Sequence, residues 1–179
     1  MKVRIALALI FVAALTRLLP HPHNFTPLGA IGLFGAAFLQ RRWLAVAVPF
    51  GALFLTDLFI NNVIYRHLYP EFTWITSWWI YLGFALISGI GWLTLRNRVH
   101  PQRVVAASLL ASAAFFLVSN FGTWVGSGLY PKTFAGLMTC YTAGLPFFGN
   151  TVLGDLFFSA VLFGSFAWAL KSRLIPVQD

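Results

Sequence analysis

Apolar positions fall into six blocks along the chain, at 4–19, 26–39, 43–60, 74–95, 103–120 and 149–170. Each is apolar nearly throughout, which is the pattern of helices whose solvent is lipid. The second block has 14 residues, short of the roughly 20 that a full membrane span needs. It is rich in glycine and alanine ("GAIGLFGAAF"), so it is expected inside the bundle rather than against lipid. Small residues four apart, at Gly32/Ala36, Ala85/Gly89 and Ala107/Ala111, allow helix backbones to approach closely. The predicted fold is all-α: one integral-membrane domain over residues 1–179, a bundle of six transmembrane helices.

Composition agrees with lipid as the solvent. Of the 179 residues 59% are apolar and 9% charged, and mean hydropathy is +0.81. A soluble domain carries about 25% charged residues. The net charge of +8 comes from cations between the apolar blocks, the arrangement of topology signals. No nucleic-acid motif accompanies them, so the bilayer and not nucleic acid is the expected partner. With the N-terminus cytoplasmic and six spans, nine cations fall inside: Lys2, Arg4, Arg41, Arg42, Arg96, Arg98, Arg103, Lys171 and Arg173. Three fall outside, Arg17, Arg66 and Lys132. This skew places both termini in the cytoplasm. The opening "MKVRIALALIFVAAL" has the cations and apolar run of a signal peptide but no small-x-small cleavage site, and reads as an uncleaved first helix. Trp74, Trp78 and Trp79 at the outer end, with Trp43, Trp92 and Trp168 at the inner end, suit interfacial belts. The lone Cys140 excludes a disulfide framework and reads as a small buried apolar residue.

Against this background two carboxylates are out of place. "ALFLTDLFINN" carries Asp57 and "NTVLGDLFFSAVLF" carries Asp155, in a chain with four acidic residues. A carboxylate at mid-bilayer costs roughly 2.5–3.5 kcal/mol and is usually turned inward, paired or set in a polar cavity. The topology puts both in the outer half at similar depth, beside Asn61, Asn62, Asn120 and Asn150. A polar cluster opening outward follows if these faces converge. Two roles stay open for each aspartate: capping a backbone or pairing with Arg17 or Arg66, and direct ligand contact. Each aspartate stands six positions after a glycine, Gly51 or Gly149, and is followed by Leu-Phe, yet an inverted repeat would send Asp155 to the inner leaflet, so the likeness is local.

The outer connections, 17–27, 61–74 and 121–149, are chemically richer than the short basic inner ones. Gly122, Gly126 and Gly128 are expected to break the third, with Pro131 starting a short helix over about 132–144 that folds back on the bundle. Candidate ligand-binding residues are Asp57, Asp155, Asn61, Asn120 and Asn150, with Tyr65, Trp74, Trp124 and Tyr141 as stacking surfaces. His21, His23 and Asn24 of "HPHN" join them. With His67 and an aspartate the histidines have the ligand types of a metal site, but loop anchoring is the favoured reading. No metal and no cofactor is assigned. Nucleophile-elbow, zinc-protease, phosphate-loop and dinucleotide motifs are all missing, so a catalytic role is not expected.

The stretches "RLLPHPHNFTPLGAIGLFGAAF", "FLTDLFI", "SNFGTW", "YPKTFAGLMTCY" and "PFFGNTVLGDLFFSAVLFG" resemble, nearly end to end, an uncharacterised family of small bacterial membrane proteins described as putative transport proteins. The layout is similar to the substrate-binding subunits of energy-coupling-factor vitamin transporters, which implies six helices, cytoplasmic termini and a pocket under outer loops. Those subunits dock an energising module through an Ala-x-x-x-Ala pair on the first helix. Here Ala6, Ala8, Ala13 and Ala14 are not spaced by four. The resulting expectation is an inner-membrane protein that captures a small neutral or cationic molecule, vitamin- or nucleobase-like, with an energising module as a further partner. The alternatives are a non-transporting scaffold or assembly protein and a small membrane enzyme.

Overall fold

The structure is a computed structural model that describes residues 2–68 and 71–171. Arg173, assigned above to the inner side, lies outside the described residues. Six helices form: α1 (Lys2–Thr16), α2 (Leu28–Phe38), α3 (Arg42–Phe59), α4 (Trp78–Leu95), α5 (Pro101–Gly126) and α6 (Phe134–Lys171). One widened π turn, Ile60–Ile64, continues α3. No strand occurs among the described residues.

The bundle is built around α2. Its sequence LGAIGLFGAAF has no polar face, and every residue from Leu28 to Ala36 is buried. A helix apolar on all sides satisfies itself only when surrounded, and α2 packs against each of the other five helices. The expectation drawn from its glycines and alanines therefore holds. Gly91 of α4 lies so close that an added methyl would come within 2.9 Å of Ala36 Cβ and 3.0 Å of Leu33 Cα. Gly32 meets Ile87 and Phe84 in the same seam. Ala107 and Ala111 are buried as expected, but Ala85 and Gly89 face outward and take no part in packing. At the opposite face of α2, Phe34 and Phe38 stack edgewise and obliquely on Phe163 and Phe166 of α6, with ring centroids 4.3–5.5 Å apart.

These two kinds of glycine give a paired prediction. Gly91→Ala should lose about 1–3 kcal/mol, because the new methyl meets backbone that cannot swing away. Gly89→Ala has open space on its outward face and should fall between neutral and about 1 kcal/mol stabilising. Denaturant titration of the two variants in one detergent tests the contrast.

Four helical runs are long and apolar enough to cross a membrane: Arg42–Ile64, Trp78–Leu95, Pro101–Gly126 and Phe134–Lys171. The chain is thus a helical membrane protein. At 15 residues α1 is about 22 Å long. It is prolonged to Leu19 by a tight turn whose backbone bonds run Arg17 to Ala14, Leu18 to Leu15 and Leu19 to Thr16.

The third connection differs from its expected form. Gly122 does not break α5; it admits the Trp79 ring, which occupies the space a Cβ would need. The helix runs on to Gly126, and the chain reverses within 127–133, where Gly128 takes φ +68°. The expected short helix is not separate either. It is the first part of α6, a single 38-residue helix about 57 Å long with Pro146 inside it. The extension holds to α5 through the Tyr141 hydroxyl donating to Leu117 O at 2.8 Å and through Phe116 against Tyr141 and Phe148. Continuous side-chain packing of this kind carries the helix past proline and glycine signals that would end it in isolation.

Candidate functional site

The end of the bundle that bears residues 17–27 and 60–77 is called the outer end, after the charge assignment. Segment 17–27 does not lie flat there. Asn24 takes φ +64°, a left-handed conformation that asparagine tolerates better than most residues, and the chain turns down into the bundle. Gly154 lets it in: a Cβ there would lie 3.0 Å from Thr26 N and 3.2 Å from Phe25 Cα. Phe25 then rests on Phe157 and Phe158 of α6, and Asn150 Nδ2 donates to His23 O at 3.0 Å. The segment thereby delivers the first residue of α2 to the middle of the bundle.

That helix start has no cap of its own. Pro27 occupies the N-cap position and makes no side-chain cap bond. The backbone N–H of Gly29 is instead bonded by the Asp155 carboxylate from α6. Ser112 of α5 donates to Asp155 Oδ2 at 2.6 Å, and below it Ser108 and Ser159 share a hydroxyl bond of 2.9 Å. An anion at a helix N-terminus is stabilised by the free N–H groups and by the helix dipole, so this carboxylate is compensated in part without a cation. Asp155 is 3% exposed, which makes that compensation necessary.

Asp57 is satisfied differently. Arg17, at the end of α1, places Nη2 2.8 Å from Asp57 Oδ1. Its Nη1 bonds Thr56 Oγ1 and reaches Leu53 O at 3.4 Å. Of the two cations considered for pairing, Arg17 is the partner, while Arg66 is exposed on the loop. Tyr81 of α4 donates a long bond, 3.4 Å, to Asp57 Oδ2.

The π turn arranges the next residues. Its bond from Tyr65 N to Ile60 O, 2.8 Å, widens the helix so that Ile60, Asn61 and Tyr65 all face one cavity. Asn62 clamps the following loop through Thr73, its Oδ1 accepting from Thr73 N at 2.8 Å and its Nδ2 donating to Thr73 O at 2.9 Å. The clamp brings Thr76 to Asn61, whose Nδ2 donates to Thr76 Oγ1 at 2.8 Å.

The cavity so enclosed has a volume of about 240 Å³. Both aspartates line it, with Arg17, Asn24, Asn61 and Tyr65 and with Thr26, Thr76 and Thr151. Leu28, Ile80, Ile87 and Phe115 supply the apolar wall. Two basins share its rim. One, of about 440 Å³, is lined by His21, His23, Asn24, Arg17 and Tyr65. The other, of about 350 Å³, is lined by Asn24, Thr76, Asn120 and Thr151. Convergence of the two aspartates on one polar cavity, the central expectation from the sequence, is what the structure has.

Several expected residues lie elsewhere. Asn120 reaches only the adjoining basin and donates to Phe116 O at 2.9 Å. Asn150 is a loop anchor. Trp124 donates to Pro131 O at 2.9 Å and stacks under Lys132, closing the α5–α6 turn. Tyr141 fastens α6 to α5, and Trp74 is exposed against Phe72, 4.8 Å between centroids. None of these five lines the cavity; Trp124 and Tyr141 stand beside it because the third connection is largely helix. His67 is exposed next to Tyr65, and no group of three histidine, cysteine or acidic side chains placed to hold a metal occurs among the described residues. Contributors that escaped the sequence reading include Thr26, Gly29, Thr76, Tyr81, Ser112 and Thr151. Only glycine at the second position of α2 carried a signal, as a place where another group approaches backbone.

These features define a helical membrane protein with a polar cavity at one end of the bundle. The family model described as a family of unknown function (DUF6580) matches residues 1–177, and the chain belongs to that family. No curated protein and no solved structure matches it.

Proposed function

We propose that the chain is a multi-pass protein of the bacterial inner membrane that captures a small neutral or cationic molecule from the outer face, as the substrate-binding subunits of vitamin transporters do. The observation that carries this reading is the cavity that joins Asp57 and Asp155. A recessed, mostly apolar cavity with a few fixed polar groups is the usual form of a small-molecule site. Six spans with cytoplasmic termini follow from the nine-to-three division of cations. The pairing of Arg42 and Arg96 with Trp92, 5.9 Å and 3.7 Å from its ring, suits an inner interfacial belt.

Passage inward needs an energising partner or a movement of the bundle itself. On α1 the small residues Ala6, Ala13 and Ala14 are buried with Ile10, and Phe11, Val12 and Leu15 face outward. That supports a docking surface different from the alanine pair of the vitamin transporters. A scaffold role draws on one observation, namely that both aspartates are paired within the protein.

Thermal melting of the detergent-purified chain against vitamins, nucleobases and amines separates the two. A ligand that binds only the folded state raises the melting temperature. Thr151→Phe places a ring in the cavity at a residue that takes part in neither the Arg17–Asp57 nor the Asp155–Gly29 bond. Capture predicts a stabilising ligand whose effect disappears in Thr151→Phe while that variant's own stability stays within about 1.5 kcal/mol of the parent. No response across the panel, or a response that Thr151→Phe leaves unchanged, removes the capture reading.

A further inference from the structure

We infer that the cavity selects an organic monocation with N–H donors, such as an amidinium or ammonium group on a small ring. This deepens the capture reading and rests on it.

The first observation is charge. Three charged side chains face the cavity: Arg17 from the end of α1, Asp57 from α3 and Asp155 from α6. The stretch 24–29, Thr76, α4 and α5 add none to its wall, and His21 and His23 face the adjoining basin. Arg17 and Asp57 neutralise one another at 2.8 Å, which leaves the Asp155 carboxylate as the charge on the wall without a partner of opposite sign. The α2 N-terminus offsets only about half of it.

The second observation is the inventory of hydrogen-bonding groups, and it is independent of the first. Most of the deep donors are already used. Both Arg17 Nη atoms are bonded, and only its Nε is left without a partner on that side chain. Asn61 Nδ2 is committed to Thr76, Ser112 Oγ to Asp155, and the Gly29 N–H to Asp155. The deep acceptors are left over. Asn61 is 3% exposed, lines the cavity, and its Oδ1 has no hydrogen-bond partner among the described residues. A carboxylate has about four acceptor positions, and the protein fills two on Asp155. Asp57 Oδ2 has only the long Tyr81 bond. The unfilled positions on Asp155, Asp57 and Asn61 are acceptors, and they favour a guest that brings donors. Carboxylate or phosphate guests would face the Asp155 carboxylate across the cavity. Tyr65 at the rim adds an aromatic face, which suits a planar cation.

The test uses one ring with three planar substituents: benzamidine, benzamide and benzoate, as cation, neutral amide and anion. Binding to the full chain in nanodiscs is read by melting temperature at concentrations up to about 10 mM. Benzamidine should bind at least about tenfold more tightly than benzamide, the equivalent of one hydrogen bond to a charged group, and benzoate should not bind. Asp155→Asn keeps an acceptor for Gly29 and Ser112 but removes the charge, and should erase the preference for benzamidine. In case that variant fails to fold, Asn61→Asp works in the opposite direction. It replaces an amide by a carboxylate of the same shape, to which the Thr76 hydroxyl can donate once it no longer accepts from Nδ2, and should tighten benzamidine about tenfold. Benzamide binding as well as benzamidine, or benzoate binding at all, overturns the charge inference and leaves capture standing. Silence from all three compounds in both the parent and Asn61→Asp overturns the inference, while the wider panel and Thr151→Phe decide capture separately.

Discussion

Arg17→Met should be the most damaging single change at the site, with a loss of about 3–5 kcal/mol. The side chains of Arg17 and Asp57 are 10% and 6% exposed, so removing the guanidinium leaves a carboxylate buried in an apolar bundle with only a long tyrosine bond. The asymmetry between breaking a buried pair and replacing it decides the companion result. Arg17→Met combined with Asp57→Leu removes both charges and restores apolar packing. It should recover most of the loss, because the pair's attraction roughly balances the desolvation of its members. Denaturant titration of the two single variants and the double variant measures both effects. A double variant no more stable than Arg17→Met would mean that the pair contributes through geometry and not through charge. It would also separate folding from function, since the double variant keeps the fold but loses an acceptor from the cavity wall.

The sequence made some of this arrangement legible and hid the rest for physical reasons. Apolar blocks report the solvent of each segment, so six blocks became six helices, and the small residues of α2 marked it as interior. Aspartates in apolar blocks are expensive, so their convergence on a cavity could be argued from cost and depth alone. The partners could not be read so directly. Arg17 and Arg66 both lie on the outer side, Arg17 at the end of the first block, and the choice depends on which way α1 ends. The cap that Asp155 gives to Gly29 joins residues on different helices far apart in sequence, and no local pattern records it. The π turn at Ile60–Ile64 is a one-residue change of register that leaves hydropathy unaltered, yet it brings Asn61 and Tyr65 to the cavity. The third connection misled for the opposite reason. Its glycines and prolines are genuine local breakers, but Gly122 serves the packing of Trp79, and the extension is held by tertiary contacts with α5.

The cap itself yields the second large effect. A Cβ on Gly29 would fall within the Asp155 carboxyl group, 2.5 Å from Cγ and 2.7 Å from Oδ2. Gly29→Ala should therefore push the carboxylate off the helix N-terminus and strand it among apolar neighbours. Overpacking and the loss of a charge-assisted bond together amount to about 3–5 kcal/mol. Asp155→Ala alone should lose about 2 kcal/mol, since the α2 cap disappears but no charge stays behind. In the Asp155→Ala background the methyl of Gly29→Ala meets space instead of oxygen, and alanine is the better helix former by about 1 kcal/mol. The same substitution should then be neutral or stabilising. A four-member cycle in detergent, read by denaturant titration, gives the coupling between the two sites directly. A change of sign would establish that the carboxylate buried in α6 sits where it does because the central helix begins there. An additive cycle would detach Asp155 from α2 and leave the cavity as its only reason for being charged. Under the proposed capture, a ligand engaging Asp155 would share the carboxylate that holds the start of α2, which would tie binding to the position of the central helix.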